Sequence, residues 1–416
     1  MAVRAPHLYR SLRLFGLASF ALLSQEVEAG AELQFSFEEH DGGKRPLYEY
    51  RPLVGSYVEA RAGRLAALPD ALTALEELRR EPAAAIFARA HAGGEGSDKG
   101  ALIRTVLLPL ITDVAEHCGG FDWNDEAFDR AYGELERSLF GSRRAYAAVA
   151  PLIGLGAGSQ IELGRGIRVR VAAAGELAAS WPDAARLLPP AFGREPDRVC
   201  VLELERPLQA AETAPPDAPA ELADAVTALR LATAAAVAAG PVLFERLDWR
   251  PYGIRPVLPI AATQPPGEPS RLDSFRGNLA GDLLERISNA DADPDLAEAL
   301  DRWELALFHD GPVRADELRE ALESLLGCDE GPWAAAMRAA VLLGENGRER
   351  EDLLVGLRAL LDGDGPGGRA AEAVRRALVE TLMHDSRMGL VASLDEVLLG
   401  LRPRAQSASG RVVAAG

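Results

Sequence analysis

Six histidines, His7, His40, His91, His117, His309 and His384, are the side chains of this 416-residue chain best suited to moving protons near neutral pH. No two of them stand at metal-ligand spacing, and His117 beside Cys118 is an isolated pair, so the sequence calls for no zinc site and no cofactor. His309-Asp310 precedes Gly311-Pro312 at the end of a helical pattern, where helix capping and the helix dipole account for it as well as catalysis does. The stretch Gly154-Leu155-Gly156-Ala157-Gly158 lacks the lysine and hydroxyl residue of a phosphate loop and leads into a strand, which makes it a turn. No G-x-S-x-G elbow occurs. Among the carboxylates, Glu317, Glu320 and Glu323 repeat every third residue, and Glu323 sits inside an apolar stripe between Leu322 and Leu325. A buried carboxylate needs an ionic or hydrogen-bonding partner, and Arg338 and Arg358, each within a neighbouring apolar segment, are the candidates. Glu323 then reads either as an acid held in a cleft or, the favoured reading, as an interhelical ion pair that fixes register.

The elements that must position these groups are helices. Leu296, Ala299, Leu300, Trp303 and Leu307 recur at the spacing of one helical face, followed by Leu318, Ala321, Leu322, Leu325 and Leu326, with Gly327 as a stop. Trp333, Met337, Ala340 and Val341 form a third face, and Leu353, Leu354, Leu357, Leu360 and Leu361 a fourth. Val374, Ala377, Leu378, Thr381 and Leu382 form a fifth; Leu390, Leu394, Val397, Leu398 and Leu401 close the series. Short linkers imply antiparallel packing.

Upstream the pattern is mixed. Leu33, Phe35 and Phe37 alternate as a strand, His91 to Gly100 reads as a mobile loop, and Phe121 to Phe140 reads as a helix. Gln160 to Leu163 and Ile167 to Val171 flank Gly164-Arg165-Gly166 as a hairpin, with Val199 to Leu204 a further strand of a small antiparallel sheet. Pro207 to Pro219 and Gln264 to Ser270 read as linkers around an alanine-rich helix, Glu221 to Ala239. The expected fold is α+β and predominantly α-helical. Its parts are a mixed region over 1–206, a linker and helical connection over 207–289, an antiparallel helical bundle over 290–401 and a disordered tail over 402–416.

A net charge of −18 opposes broad binding to polyanions. Lys44 and Lys99 are the only lysines among 45 basic residues, a bias that suggests GC-rich bacterial coding, so the abundance of arginine is no sign of phosphate recognition. Three scattered cysteines, Cys118, Cys200 and Cys328, fit a reducing cytoplasm. Arg4, Arg10 and Arg13 precede the apolar run Leu14 to Leu23, which fits either a secretory leader cleaved near Val27-Glu28-Ala29 or an ordinary buried helix. Glu26 and Glu28 favour the helix, and the run is too short to span a bilayer.

Ala299-Leu-Asp-Arg-Trp-Glu304, Arg319 to Gly327, Arg338-Ala-Ala-Val-Leu-Leu-Gly344, Ala373-Val-Arg-Arg-Ala-Leu378 and Leu394-Asp-Glu-Val-Leu-Leu399 together resemble the Apea-like HEPN domain. Val106 to Leu110 and the Ile161 to Val171 hairpin resemble, less specifically, the region that precedes such domains. The resemblance implies a helical bundle, often dimeric, with metal-independent ribonuclease activity in phage defence or toxin systems where it is active. Its catalytic pair is an arginine followed, after four to six residues, by a histidine that moves a proton while the arginine stabilises the phosphorane. At the corresponding place this chain has Arg358-Ala-Leu-Leu-Asp-Gly-Asp-Gly-Pro-Gly-Gly-Arg369 and no histidine. Arg376 and His384 are separated by seven residues and lie on a later helix. The expectation is a catalytically degenerate or non-enzymatic HEPN-like protein that binds a protein or ligand, with no membrane association. One alternative is an active ribonuclease using a displaced His384 or His309, with Arg376 as its arginine; the other is a small-molecule sensor built on the central sheet.

Overall fold

The computed structural model describes residues 4–40, 47–92, 99–141, 143–172, 176, 200–209, 216–240, 242–247, 250–256, 269–288, 290–363 and 368–403. The loop expected over His91 to Gly100, the linker at 264–270 and the tail lie largely outside them, so those expectations are not addressed; of the linker expected over 207–219, residues 210–215 lie outside, while Pro207 to Gln209 continue a strand and Ala218 and Pro219 open a helix. The fold is α+β and predominantly helical.

The first part comprises α1 (Pro6–Glu28), the hairpin β1 (Phe35–His40) and β2 (Leu47–Pro52), and α2 (Val54–Glu59), α3 (Ala62–Ala66), α4 (Pro69–Arg80), α5 (Pro82–Ala92), α6 (Lys99–Leu102), α7 (Leu108–Cys118) and α8 (Asp125–Phe140). The apolar run Leu14 to Leu23 belongs to α1, where Leu8, Leu12, Phe15, Ser19, Phe20 and Leu23 share the buried side. Gly16 admits the Trp123 ring, which would lie 2.8 Å from a Cβ there. No helix among the described residues is long and apolar enough to cross a membrane. Residues Ile103–Leu107 widen into a π turn just before Pro109, which has no N–H to offer the preceding turn.

The centre is a seven-stranded antiparallel sheet. β3 (Arg143–Ile153), β5 (Ile161–Gly164), β6 (Ile167–Val171), β7 (Cys200–Gln209), β8 (Ala238–Ala239), β9 (Val242–Leu247) and β10 (Arg250–Pro256) build it in the order β10-β9-β3-β7-β6-β5, with β8 beside β3. β4 (Leu155–Ala157) and β11 (Ser270–Leu272) form a separate parallel pair, so the glycine stretch expected to be a turn is largely strand. Tyr146, Ala148, Ala150, Val169, Leu202 and Leu204 face α9 (Ala218–Thr233) and α10 (Ser274–Ile287), whose Leu222, Val226, Leu283 and Leu284 complete this core. Helix α10 rests directly on β5 through a glycine stripe: a Cβ on Gly277 would stand 2.4 Å from Ile161 Cγ2, and one on Gly281 3.0 Å from the Leu163 carbonyl oxygen.

From 294 onwards the chain forms α11 (Pro294–Ala306), α12 (Gly311–Leu326), α13 (Gly331–Leu343), α14 (Gly347–Leu361), α15 (Gly368–Leu382) and α16 (Arg387–Leu398), with no strand among the described residues 290–403. Two apolar clusters result. One is confined to Ala5 through Leu139; the other runs from Tyr146 to Leu394, so the sheet and the C-terminal helices share a single core. The expected face of α13 is corrected in part: Ala340 and Val341 are buried as expected, but Trp333 is exposed, and Ala335, Ala336, Ala339 and Leu343 complete the buried side. Gly327 does stop α12, but the left-handed residue is Cys328 (φ 48°).

Arginine side chains finish many of these helices. Terminal carbonyls lack intrahelical donors and carry the negative end of the dipole, so a guanidinium satisfies both needs. Arg4 donates to the Phe140 carbonyl of α8, Arg375 to Leu231 of α9, Arg165 to Glu285 of α10 and Arg350 to Gly344 after α13. The end of α12 receives two, Arg338 and Arg387.

Candidate functional site: a charged groove between α14 and α15

Beside the segment where the Arg…His pair was expected, of which Arg369 contributes to the lining, the end of α13, the start of α14 and the flank of α15 enclose an open groove of about 500 Å³. Asn346 caps α14 by accepting the Glu349 N–H at 3.0 Å, and the Glu349 carboxylate turns back to accept the Glu345 N–H at 2.7 Å. This reciprocal capping fixes the chain entering α14. Glu349 and Asp352, three residues apart, line that wall from one side of α14, and Glu345 joins them from just before the cap. Arg369 and Arg376, two turns apart on α15, line the other with Glu372 between them, while Leu343, Leu353 and Ala373 contribute apolar surface.

Several of these groups are already engaged. Glu372 holds Arg375 through two hydrogen bonds of 2.8 and 2.5 Å, and Glu349 serves the cap. Glu345 and Asp352 on one side, and Arg369 and the half-buried Arg376 on the other, have no side-chain ion pair among the described residues. The groove therefore offers fixed charges of both signs. Its lining includes no histidine, and its guanidinium groups release no proton near neutral pH.

The residues singled out from sequence do not converge. His309 is exposed in the connection between α11 and α12, and His384 is exposed between α15 and α16; among the described residues neither ring has a polar partner. Arg376 lines the groove, but His384 lies eight positions on and beyond the helix end, about 12 Å along the axis at 1.5 Å per residue. The expected pairing of Glu323 with Arg338 or Arg358 is not formed. Glu323 is half-buried against the Gly327–Gly331 turn, with no ion pair among the described residues. Arg358 is exposed and faces Asp362 at 3.4 Å. Arg338 is buried, but all its donors are taken: Asp395 bidentately at 2.7 and 2.9 Å, the Leu326 and Gly327 carbonyls at 2.7 and 3.1 Å, and Glu330 at 3.2 Å. The α12 terminus is a richer acceptor set than a single carboxylate, which is why it captures this arginine.

Other buried charges went unread in the sequence. Glu203, on the sheet face opposite α9, accepts from Arg168, Arg170 and Arg246 at 2.8, 2.6 and 2.9 Å. Burial would raise its carboxyl, but the hydrogen bonds and charges of Arg170 and Arg168 outweigh that and hold it below the ordinary value. Arg230 joins Glu304 at 2.9 Å across α9 and α11, with Thr227 Oγ1 donating to the same carboxylate at 2.5 Å. Arg387 spans Asp293, Asp295 and the end of α12. All three centres tie elements together, and in the second the Arg230 Nη2 is buried with no hydrogen-bond partner among the described residues. The described residues include no group of three His, Cys, Asp or Glu placed to share a metal ion.

Comparison with known proteins adds no family: no family model matches the chain, and no curated protein or solved structure is significantly similar to it.

Proposed function

We propose that this chain is a catalytically silent, HEPN-like binding protein whose C-terminal bundle presents the α14–α15 groove to a ligand or partner. The observation that carries the reading is local. The segment Arg358 to Arg369, where the resemblance expects an arginine–histidine pair, has no histidine, and the adjoining groove is lined by carboxylates, arginines and aliphatic side chains. The sheet and bundle share a core, so a ligand in the groove acts on a helix, α15, that is also bonded through Arg375 to α9 under the sheet. The arginine-biased composition and the resemblance together support a bacterial setting in phage defence or stress response, in a reducing cytoplasm.

The test is incubation of purified protein with single-stranded and structured RNAs in chelator. The proposal expects intact RNA. Cleavage lost on His384→Ala or His309→Ala would replace it with the displaced-histidine ribonuclease.

A further inference from the structure

Resting on the reading of the bundle as a binding module, we infer that the groove takes a short zwitterionic peptide, its ammonium toward α14 and its carboxylate toward α15. Three observations converge. First, the charges without an ion pair are segregated: Glu345, Glu349 and Asp352 on one wall, Arg369 and Arg376 on the other, none joined across the gap among the described residues. An anion alone would meet the acidic wall and a cation alone the basic one; a molecule carrying both charges satisfies each. Second, the apolar contribution of Leu343, Leu353 and Ala373 and the volume of about 500 Å³ fall within the ordinary range of small-ligand sites, about 300–1,000 Å³.

Third, Gly356 stands in the interior of α14 and lines the groove, and no atom lies within 4 Å of the position a Cβ would occupy. Packing within the chain does not require glycine there, and glycine weakens a helix interior relative to alanine. An open backbone at that point is what a close-lying ligand chain needs. A tetrapeptide extends about 13 Å at roughly 3.3 Å per residue.

The experiment follows the side-chain Nε–Hε signals of Arg369 and Arg376 in the full chain by NMR, with tetra-alanine as the probe. Acetylated and amidated tetra-alanine, and acetate alone, are the controls. The free peptide should move both signals saturably, with the doubly capped peptide at least tenfold weaker. Gly356→Leu should retain the melting temperature and lose binding at least tenfold, and Asp352→Asn should weaken the free peptide but not the N-acetylated one. No shift with tetra-alanine, equal binding of the capped peptide, or saturation by acetate at the same concentration would overturn the inference. Such a failure with RNA left intact removes only the ligand assignment, whereas RNA cleavage removes the binding-module reading itself.

Discussion

Replacing Arg338 by alanine separates a structural arginine from a surface one. Arg338 is 4% exposed and its guanidinium donates to two buried carbonyls, Leu326 and Gly327, and to Asp395 and Glu330. The Gly327 carbonyl keeps the Glu330 N–H at 3.1 Å, whereas the Leu326 carbonyl loses its side-chain donor, which costs about 1–3 kcal/mol. Asp395 and Glu330 are 40% and 58% exposed, so they regain water when the arginine leaves, and their pairing contributes only the ~0.2–1 kcal/mol of surface ion pairs. The sum is a loss of about 1–5 kcal/mol, concentrated where α12, α13 and α16 meet. Arg358, 70% exposed and paired only with Asp362, provides the control, with an expected change within about 0.5 kcal/mol. Urea unfolding followed by circular dichroism measures both, compared at unchanged m-value. Lysine at 338 should recover part of the loss, since it keeps the charge but not the planar fork. An Arg338→Ala variant as stable as Arg358→Ala would refute the claim that the arginine caps α12.

Acid sensitivity should reside partly in Asp293. Burial raises its carboxyl, but Arg387 and the Leu296 and Asp295 N–H groups together hold it below the ordinary value; its stabilisation is therefore complete above the unfolded pKa of about 3.9 and is lost as the pH falls through the lower folded value. Asp293→Asn should lower the melting temperature at pH 7 and converge with the wild type in strong acid. Gly281→Ala should destabilise by about 1 kcal/mol or more despite its better helix propensity, because the new methyl meets the backbone oxygen of Leu163 at 3.0 Å; thermal melts check this. Cys200 should resist a disulfide reagent in the native state and react on unfolding, since burial pushes its thiol up more than the Ala157 N–H lowers it.

The helices were legible where large aliphatic residues carried the pattern. All five residues read as the face of α15, Val374, Ala377, Leu378, Thr381 and Leu382, are buried. The face of α13 was misjudged because Trp333 sits one residue after Pro332 in the exposed first turn, while the buried side is built of alanines. Alanine also hid β3: Ala145, Ala147, Ala148 and Ala150 carry neither the branching nor the aromatic rings that mark a strand, and the pairing with β7 lends them their conformation. The charged centres were not legible because their partners are distant in the chain, 57 residues for Arg338 with Asp395 and 94 for Arg387 with Asp293. Local spacing favours neighbours such as Glu323. The missing histidine was visible in the sequence; the adjoining groove required the capped entry to α14 and the opposing charges of α15.

The central claim, that this bundle binds without cleaving, is tested most directly by turnover of a fluorophore-quencher RNA in chelator, comparing wild type with the His309→Ala/His384→Ala double variant. The account predicts the same signal as a protein-free blank for both. Multiple turnovers by the wild type that vanish in the double variant would contradict it.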